Sequence, residues 1–159
     1  MTVRISALKD SGALQQDYLL QLAEWHHNEW LHLNPGATLE QRLLRYKKSL
    51  EILALPEIFI ACKDKKLIGS ITLDKEDMDT RPYLTPWLAS LYVDKDSRDQ
   101  GIGSALIQYC IDYARQKDFK NIYLFTEDQI EFYRHRGWSF IETVEYRNID
   151  VDLMCHSLK

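Results

Sequence analysis

The segment Arg98-Asp99-Gln100-Gly101-Ile102-Gly103-Ser104 carries the clearest chemical signal in the sequence. Its two glycines stand two positions apart and lack the Cβ atoms that would keep an anion away from the backbone, and Arg98 adds a planar cation. If a helix begins here, its first N–H groups are unpaired and lie at the positive end of the helix dipole. The segment therefore suits a diphosphate, although the same glycines also suit a tight turn that packs a helix closely on a sheet.

Two better-known phosphate-binding loops fit this segment poorly. A Walker loop ends in Gly-Lys-Ser/Thr, whereas Gly103 is followed by Ser104 and Ala105. The dinucleotide-binding fingerprint needs a third glycine at the position of Leu106, and it usually opens a domain rather than lying this far along the chain. Neither kind of nucleotide site is predicted.

The surrounding pattern places the segment between a strand and a helix. Residues 88–93 form an apolar run typical of a strand, apolar residues repeat at helical spacing over 101–116, and residues 121–126 form another short strand. Strand, helix and strand in succession predict a βαβ unit with parallel strands and a right-handed crossover. The whole chain reads as β-α-α-β-β-β-α-β-α-β-β, which predicts one mixed α/β domain over residues 1–159.

Composition and charge exclude several classes of protein. The chain has 159 residues, 45% of them hydrophobic and 28% charged, as is usual for one globular domain. A net charge of -4 argues against general nucleic-acid binding. No apolar run approaches the roughly 20 residues of a membrane span, and the N-terminus lacks the apolar core of a signal peptide, so we expect a cytoplasmic protein without a membrane partner.

No metal site is predicted from the cysteines or the histidines. The three cysteines are far apart and form no Cys-x-x-Cys pair, so we expect free thiols. His26, His27 and His32 crowd one segment with Glu29, but their order is not His-Glu-x-x-His. This segment is predicted to be the polar, partly exposed face of a helix.

Two segments in the second half of the chain share a pattern with a known family. Leu91-Tyr92-Val93-Asp94 precedes Arg98-x-x-Gly101-x-Gly103-Ser104, and Phe132-Tyr133-x-x-x-Gly137-Trp138 follows downstream. The pair resembles the Arg/Gln-x-x-Gly-x-Gly/Ala motif and the Phe-Tyr-x-x-x-Gly-Phe segment of the Gcn5-related N-acetyltransferase (GNAT) family. The two occur in that family's order and at its usual separation, whereas over residues 1–73 only the order of elements supports the resemblance.

The resemblance implies a fold and a cofactor. The fold would have a central mixed sheet of about six to seven strands, a β-α-β core that binds acetyl-CoA, and flanking helices. The two parallel strands would splay apart, so that backbone groups at Leu91, Tyr92 and Val93 bind the pantetheine arm. The pyrophosphate would lie on the loop, with the implied contacts Arg98, Asp99, Gln100, Gly101, Ile102, Gly103 and Ser104.

The resemblance also implies that Tyr133 is catalytic, as the general acid for the departing CoA thiolate. A thiol has a pKa of about 8.5 and a phenol of about 10, so a phenol is protonated at neutral pH and can donate. Without the resemblance, a tyrosine beside a phenylalanine on a short helix would be read as a core aromatic.

The general base is left open. Many members of the family carry a glutamate early on the strand before the first motif, but residues 86–90, Pro-Trp-Leu-Ala-Ser, contain no carboxylate. The candidates are Glu29, Asp77, Asp79, or a water held by Ser90 or by a backbone carbonyl. The acidic stretch 74–79 would suit a cationic amine, but it is also typical of a solvated loop.

The resemblance therefore implies an acetyl-CoA-dependent N-acetyltransferase that acts by direct attack of a primary amine in a ternary complex. The acceptor could be a small molecule, a polyamine, or a lysine or N-terminus of a protein. The missing strand carboxylate leaves a second hypothesis, a non-catalytic acyl-CoA-binding sensor or regulatory module. The sequence does not determine the acyl-chain preference. It also leaves the oligomeric state open, and a homodimer is one of the states considered.

Overall fold

The computed structural model describes residues 2–159, which form seven strands and four α-helices joined by short 3-10 turns. The strands are β1 Arg4–Ala7, β2 Glu57–Lys63, β3 Lys66–Asp74, β4 Trp87–Val93, β5 Asn121–Thr126, β6 Ser139–Tyr146 and β7 Ile149–Ser157. The helices are α1 Gln15–Trp30, α2 Leu39–Ser49, α3 Ile102–Gln116 and α4 Ile130–Arg134.

All seven strands belong to one sheet, in the order β1-β2-β3-β4-β5-β7-β6. Every neighbouring pair is antiparallel except β4 and β5, which are parallel and are connected by α3. The predicted βαβ unit and the predicted mixed α/β fold are therefore confirmed.

The helices cover both faces of the sheet, as the alternation of side chains along β2 shows. Ile58 and Ile60 pack in one cluster with residues of α1 and α2. Phe59 and Ala61 point to the opposite face and pack with α3 and with residues of α4. The sheet therefore separates the two helix pairs.

The sequence carries two local signals, and the structure confirms both: Lys63-Asp64-Lys65-Lys66 predicts a hairpin turn, and Thr38 with Gln41 predicts a capping box. The turn between β2 and β3 places Asp64 and Lys65 at φ 52° and 66°, as a two-residue hairpin of the predicted kind requires. Thr38 caps α2, accepting from the backbone N–H of Gln41, whose side chain accepts from the backbone N–H of Thr38.

The second helix is shorter than its sequence pattern predicts. The capping signal at Thr38 and the apolar spacing after it predict a helix to about Leu53, but α2 ends at Ser49, whose hydroxyl donates to the carbonyl of Tyr46 at 2.6 Å. Ile52 and Leu53 are 42% and 101% exposed, so extending the helix through them would bury no apolar surface. These two exposed apolar residues extended the helical pattern in the sequence beyond the actual end of α2.

None of the helices within residues 2–159 combines the length and the apolar character that crossing a membrane requires.

Candidate active site

The sheet opens between β4 and β5. Trp87 and Tyr123 are the one pair of residues matched between these strands in the described part of the chain, with the Tyr123 N–H bonded to the carbonyl of Pro86 at 3.0 Å. Beyond this pair the two strands follow separate paths. The splaying expected from the sequence resemblance is therefore present.

A bulge in β4 accompanies the opening. The register with β3 passes from Thr72 opposite Ala89 to Ser70 opposite Tyr92, so two residues of β4 face one residue of β3. One of them, Ser90, has φ 53°, a left-handed conformation that is uncommon for residues other than glycine. Bulges bend a strand and leave backbone groups unpaired, which explains how β4 turns away from β5.

A cavity of about 1020 Å³ occupies this opening. Its walls come from both faces of the sheet: Trp30, Arg42, Tyr46 and Asp77 on the α1 and α2 side, and Tyr133 of α4 on the other. Single small-ligand sites usually measure about 300–1,000 Å³, so this volume is at the upper end of that range. The cavity can hold the end of one long ligand together with a second, small one.

The loop before α3 has the geometry of an anion-binding site. Gly101 precedes the helix at φ 80°, and Asp99 has φ 61°. The first N–H of the helix to find a backbone acceptor is that of Ala105, which bonds to the carbonyl of Gly101 at 3.0 Å. The N–H groups of residues 102–104 therefore remain for a ligand.

The space above this first turn is open. A Cβ built on Gly101 would meet nothing within 4 Å, and one on Gly103 would meet only the Val93 side chain, at 3.9 Å. No residue in the described range 2–159 fills the surface that a phosphate group would approach. The free N–H groups, the absence of side chains at the two glycines and the positive end of the helix dipole together fit a diphosphate.

The predicted cofactor contacts lie in different environments. Leu91 lines the cavity, whereas Asp99 and Gln100 are exposed on the loop. Arg98 is exposed, and its Nε donates to the carbonyl of Val93 at 2.9 Å. The side chain of Ile102 is buried in the core under α3, so this residue can offer a ligand its backbone only.

Ser104 is engaged by an arginine that sequence reasoning missed. Its hydroxyl lies 3.0 Å from Nε and 2.9 Å from Nη2 of Arg136, which follows α4. The Arg136 guanidinium lies 3.5 Å from the ring centroid of Phe132 and donates to its carbonyl at 2.7 Å. Arg136 thus links α4 to the first turn of α3. It stands at an unassigned position of the Phe-Tyr-x-x-x-Gly segment, so the motif gave no signal for it.

Tyr133 lines the cavity from α4 and is 8% exposed. Its ring packs edge-on against Phe132 and Trp138. Burial raises the pKa of Tyr133 to about 12, and the nearby Arg136 guanidinium acts in the opposite direction. The hydroxyl therefore stays protonated at any physiological pH and is available as a donor.

The structure separates the three candidate bases. Asp79 is exposed, lies outside the cavity lining and pairs with Arg147 at 3.3 Å. Glu29 lines the cavity but is exposed. Asp77 lines the cavity and is half-buried, because the next residue, Met78, is anchored in the core. Burial, and then repulsion from Asp74, raises the pKa of Asp77 to about 7.

The prediction of a partly exposed histidine face is wrong for His26. This residue is fully buried, with its Nδ1 2.6 Å from the Tyr46 hydroxyl and its Nε2 2.9 Å from that of Ser70. Helical spacing could not reveal these partners, because both are distant in sequence. His32 is exposed and pairs with Glu127 at 2.7 Å. Among residues 2–159, no three His, Cys, Asp or Glu side chains form a group that could hold a metal ion.

Solved structures with the same architecture are numerous. An aminoglycoside 6'-N-acetyltransferase complexed with coenzyme A superposes with a TM-score of 0.75 at 15% identity, covering 98% of this chain and 97% of that one. An N-acetyltransferase from Staphylococcus aureus Mu50 gives 0.71 at 17% identity, covering all of both chains. N-acetylglutamate synthase from Neisseria gonorrhoeae, complexed with coenzyme A and N-acetyl-glutamate, gives 0.68 at 19% identity, covering all of this chain and 36% of that one.

Because these sequence identities are low, the structural similarity establishes the fold alone. No curated protein matches the sequence. The family model described as "Acetyltransferase (GNAT) family" matches residues 19–138, which include β2 to β5 and most of the cavity walls. Because that match spans well over half of the chain, this protein belongs to the GNAT acetyltransferase family and is an N-acetyltransferase.

Proposed function

We propose that this enzyme transfers the acetyl group of acetyl-CoA to a primary amine by direct attack in a ternary complex. The observation that carries the proposal is the cavity that passes through the sheet between β4 and β5. One substrate can enter from the α3 side and the other from the α1 and α2 side, so that they meet without leaving the protein. A small molecule, a polyamine, and a lysine or N-terminus of a protein are the acceptor classes considered.

The pantetheine arm is proposed to run along the open edge of β4 at Leu91, Tyr92 and Val93, with the diphosphate on residues 98–104. The free N–H groups at the start of α3 and the open surface over Gly103 support this placement. Two of the similar structures contain coenzyme A, which favours the same cofactor here. Acetyl-CoA supplies an activated acyl group with a thiol as leaving group.

We also propose the cytoplasm as the compartment, because the reaction uses acetyl-CoA.

Asp77 is proposed as the general base. An alkyl ammonium ion has a pKa of about 10.4, so deprotonating it near pH 7 costs roughly 4 kcal/mol unless a base takes the proton. A carboxyl whose pKa is raised to about 7 is half ionised at neutral pH and is a stronger base than an ordinary aspartate. Its position on the acceptor side of the cavity supports the assignment.

Tyr133 is proposed as the donor to the departing sulfur. Asp77 takes one proton from the ammonium ion, and the free amine nitrogen then bonds to the acetyl carbon as the C–S bond breaks. A hydrogen bond from Tyr133 stabilises the charge that develops on sulfur, and the second proton lost by the nitrogen passes through solvent to the released thiolate. Tyr133 packs in the core on the α3 face of the sheet, whereas Asp77 is close enough to Arg45 of α2 for that charge to lower its pKa, and both residues line the cavity.

An acceptor screen that follows release of free CoA tests the proposed function directly. Thermal stabilisation by acetyl-CoA, CoA and ATP should be measured in parallel, with stabilisation expected from the first two. Binding of acetyl-CoA without thiol release across a broad amine panel would favour a sensor over an enzyme. Stabilisation by ATP alone would contradict the cofactor assignment.

Gly103→Val should weaken acetyl-CoA binding at least tenfold, about 1.4 kcal/mol, while the fold survives. The added branches would occupy the open surface where a phosphate approaches, whereas the protein itself leaves room for the Cβ. Calorimetric titration with acetyl-CoA measures the loss, and circular dichroism checks folding. Gly36→Val is the matched control, because a Cβ there also meets nothing within 4 Å and the site lies far along the chain from the loop. Equal affinities in the two folded variants would refute the loop assignment.

A further inference from the structure

A buried arginine stands without a counter-ion on the acceptor side of the cavity. Arg42 of α2 is 7% exposed and lines the cavity. Arginines buried to this degree are normally paired with a carboxylate, because an uncompensated charge is costly to desolvate. Within residues 2–159 no carboxylate lies within 4.0 Å of Arg42. Its Nε–H also lacks an acceptor in that part of the chain.

A chain of hydrogen bonds holds this arginine in place. Arg42 Nη1 lies 3.1 Å from the hydroxyl oxygen of Tyr46, and a guanidinium can only donate, so that oxygen accepts. The Tyr46 O–H is then free to donate to Nδ1 of His26, which leaves Nε2–H of His26 to donate to the hydroxyl of Ser70. Burial, together with the charges of Arg42 and Arg45, lowers the pKa of His26 to about 3, so the imidazole is neutral as this chain requires.

Arg42 does not serve the acidic residues of the site. The cations that lower the pKa of Asp77 are Arg147 and Arg45, and the one that lowers the pKa of Asp74 is Arg45. Arg42 does not serve the cofactor phosphates either, because α2 and the start of α3 lie on opposite faces of the sheet. Neither these acidic residues nor the phosphates at the proposed cofactor site therefore neutralise the charge of Arg42.

The acceptor half of the cavity thus has walls of opposite charge. Arg42, Arg45 and Lys48 follow one face of α2 at a spacing of three residues, and all three line the cavity. The connection after β3 supplies Asp74, Glu76 and Asp77 to the same cavity. A purely cationic acceptor would use only the acidic wall and would lie close to an uncompensated buried cation.

We propose that the acceptor is a small amine that also carries an oxoanion, a carboxylate or a phosphate, and that this anion binds to Arg42 while the amine faces Asp77. The inference rests on the proposed acetyl transfer and names its substrate class. A planar guanidinium matches both anions with two parallel hydrogen bonds, and the chain through Tyr46 and His26 fixes its position before the ligand arrives. Carboxylate and phosphate share this chemistry, and the experiment separates them.

Matched pairs of acceptors test the inference. The standard amino acids are compared with their carboxamides, and aminoalkyl phosphates with the corresponding amino alcohols, by the rate of CoA release. In at least one series, the anionic member should have a kcat/KM at least tenfold higher than its neutral partner. Equal or faster acetylation of the neutral members would overturn the inference and leave acetyl transfer standing. Failure of every amine in these series and in the broad screen would refute the proposed function, and the inference with it.

Arg42→Met supplies the second arm of the test. It should raise KM for the anionic acceptor at least tenfold and leave the neutral partner almost unchanged, so that the preference disappears. Lys47→Met is the control, because Lys47 lies on the same helix but is exposed and outside the cavity lining. If Arg42→Met does not fold, Arg42→Lys keeps the charge without the planar fork and should lose part of the preference. An equal loss for both members of a pair would mean that Arg42 is structural and would overturn the inference.

Discussion

Tyr133→Phe is expected to lower turnover by about 10²- to 10³-fold while acetyl-CoA binding stays almost unchanged. The substitution removes one hydroxyl and keeps the ring, so the edge-on packing against Phe132 and Trp138 is preserved. Charge develops on the departing sulfur only as the C–S bond breaks, so the loss belongs in kcat rather than in affinity. Steady-state kinetics at saturating acetyl-CoA and calorimetric titration measure the two quantities separately.

The raised pKa of Tyr133 determines the shape of the pH profile. With a pKa of about 12, the phenol stays protonated across the usable range, so it contributes no descending limb below about pH 10. The variant should therefore lower the whole profile evenly instead of removing a limb. Full proton transfer from such a phenol to an ordinary thiolate is unfavourable by about 3.5 pKa units, although burial raises the pKa of a thiol at the same place too. Donation of a hydrogen bond as the bond breaks is the expected role.

Tyr113→Phe is the matched control for this prediction. Tyr113 of α3 packs against Phe59 in the main core and lies outside the cavity lining, so its loss of one hydroxyl should leave turnover within about twofold. If Tyr133→Phe keeps wild-type turnover while chemistry is shown to limit the rate, then Tyr133 is a core aromatic and a water must protonate the sulfur.

The parts of the site that the sequence predicts are those encoded locally. The loop before α3 combines a strand, two glycines and an amphipathic helix within one short stretch, and each signal depends on neighbours along the chain. The αL conformation of Gly101 and the start of α3 at Ile102 follow from that stretch alone. The same reasoning explains why the capping box of α2 and the hairpin turn after β2 were also predicted.

The parts that the sequence does not predict depend on contacts between distant residues. The bulge places Ser90 at a positive φ, and nothing in the residue type announces a conformation that the neighbouring strand imposes. His26 is buried because Tyr46 and Ser70 satisfy both ring nitrogens from two other elements. Arg42 is also buried, although its Nε–H has no acceptor within residues 2–159, and the sequence gives no sign of this burial. Hydrogen bonds between polar residues that are distant in sequence do not appear in the hydrophobic periodicity of the sequence.

Asp77 illustrates the same limit on the acidic stretch. A run of acidic residues is typical of a solvated loop, and Asp79 behaves in this way. The neighbouring Met78, however, is fully buried beside Trp87 and Tyr146, and this anchor draws Asp77 against the cavity. One apolar residue within a polar connection thus brings Asp77, rather than Asp79, to the cavity wall, and this effect depends on core contacts that are distant in sequence.

Asp77→Asn should reduce kcat/KM by about 10²- to 10⁴-fold, because the amide keeps the shape of the side chain but cannot take a proton from the ammonium. In the wild type, activity should rise as the pH passes through about 7, where the carboxyl becomes ionised. Asp74 is close enough to couple with it, so the observed midpoint belongs to the pair. Asp79→Asn, on the same connection but outside the cavity lining, should retain activity and the rising limb.

The same substitution should make the protein more stable at pH 8, where the wild type holds an ionised, half-buried carboxylate. The folded pKa of Asp77, about 7, exceeds the ordinary value of 3.8, so the folded state binds this proton more tightly than the unfolded state does. The contribution of Asp77 to the free energy of unfolding therefore falls as the pH rises from about 4 to 7 and stays low above that. Thermal melts should show a higher Tm for Asp77→Asn at pH 8 and nearly equal values at pH 4. A lower Tm for the variant at pH 8 would mean that partners stabilise the carboxylate, and a base with a raised pKa would then have to be sought at Glu29 or in a bound water.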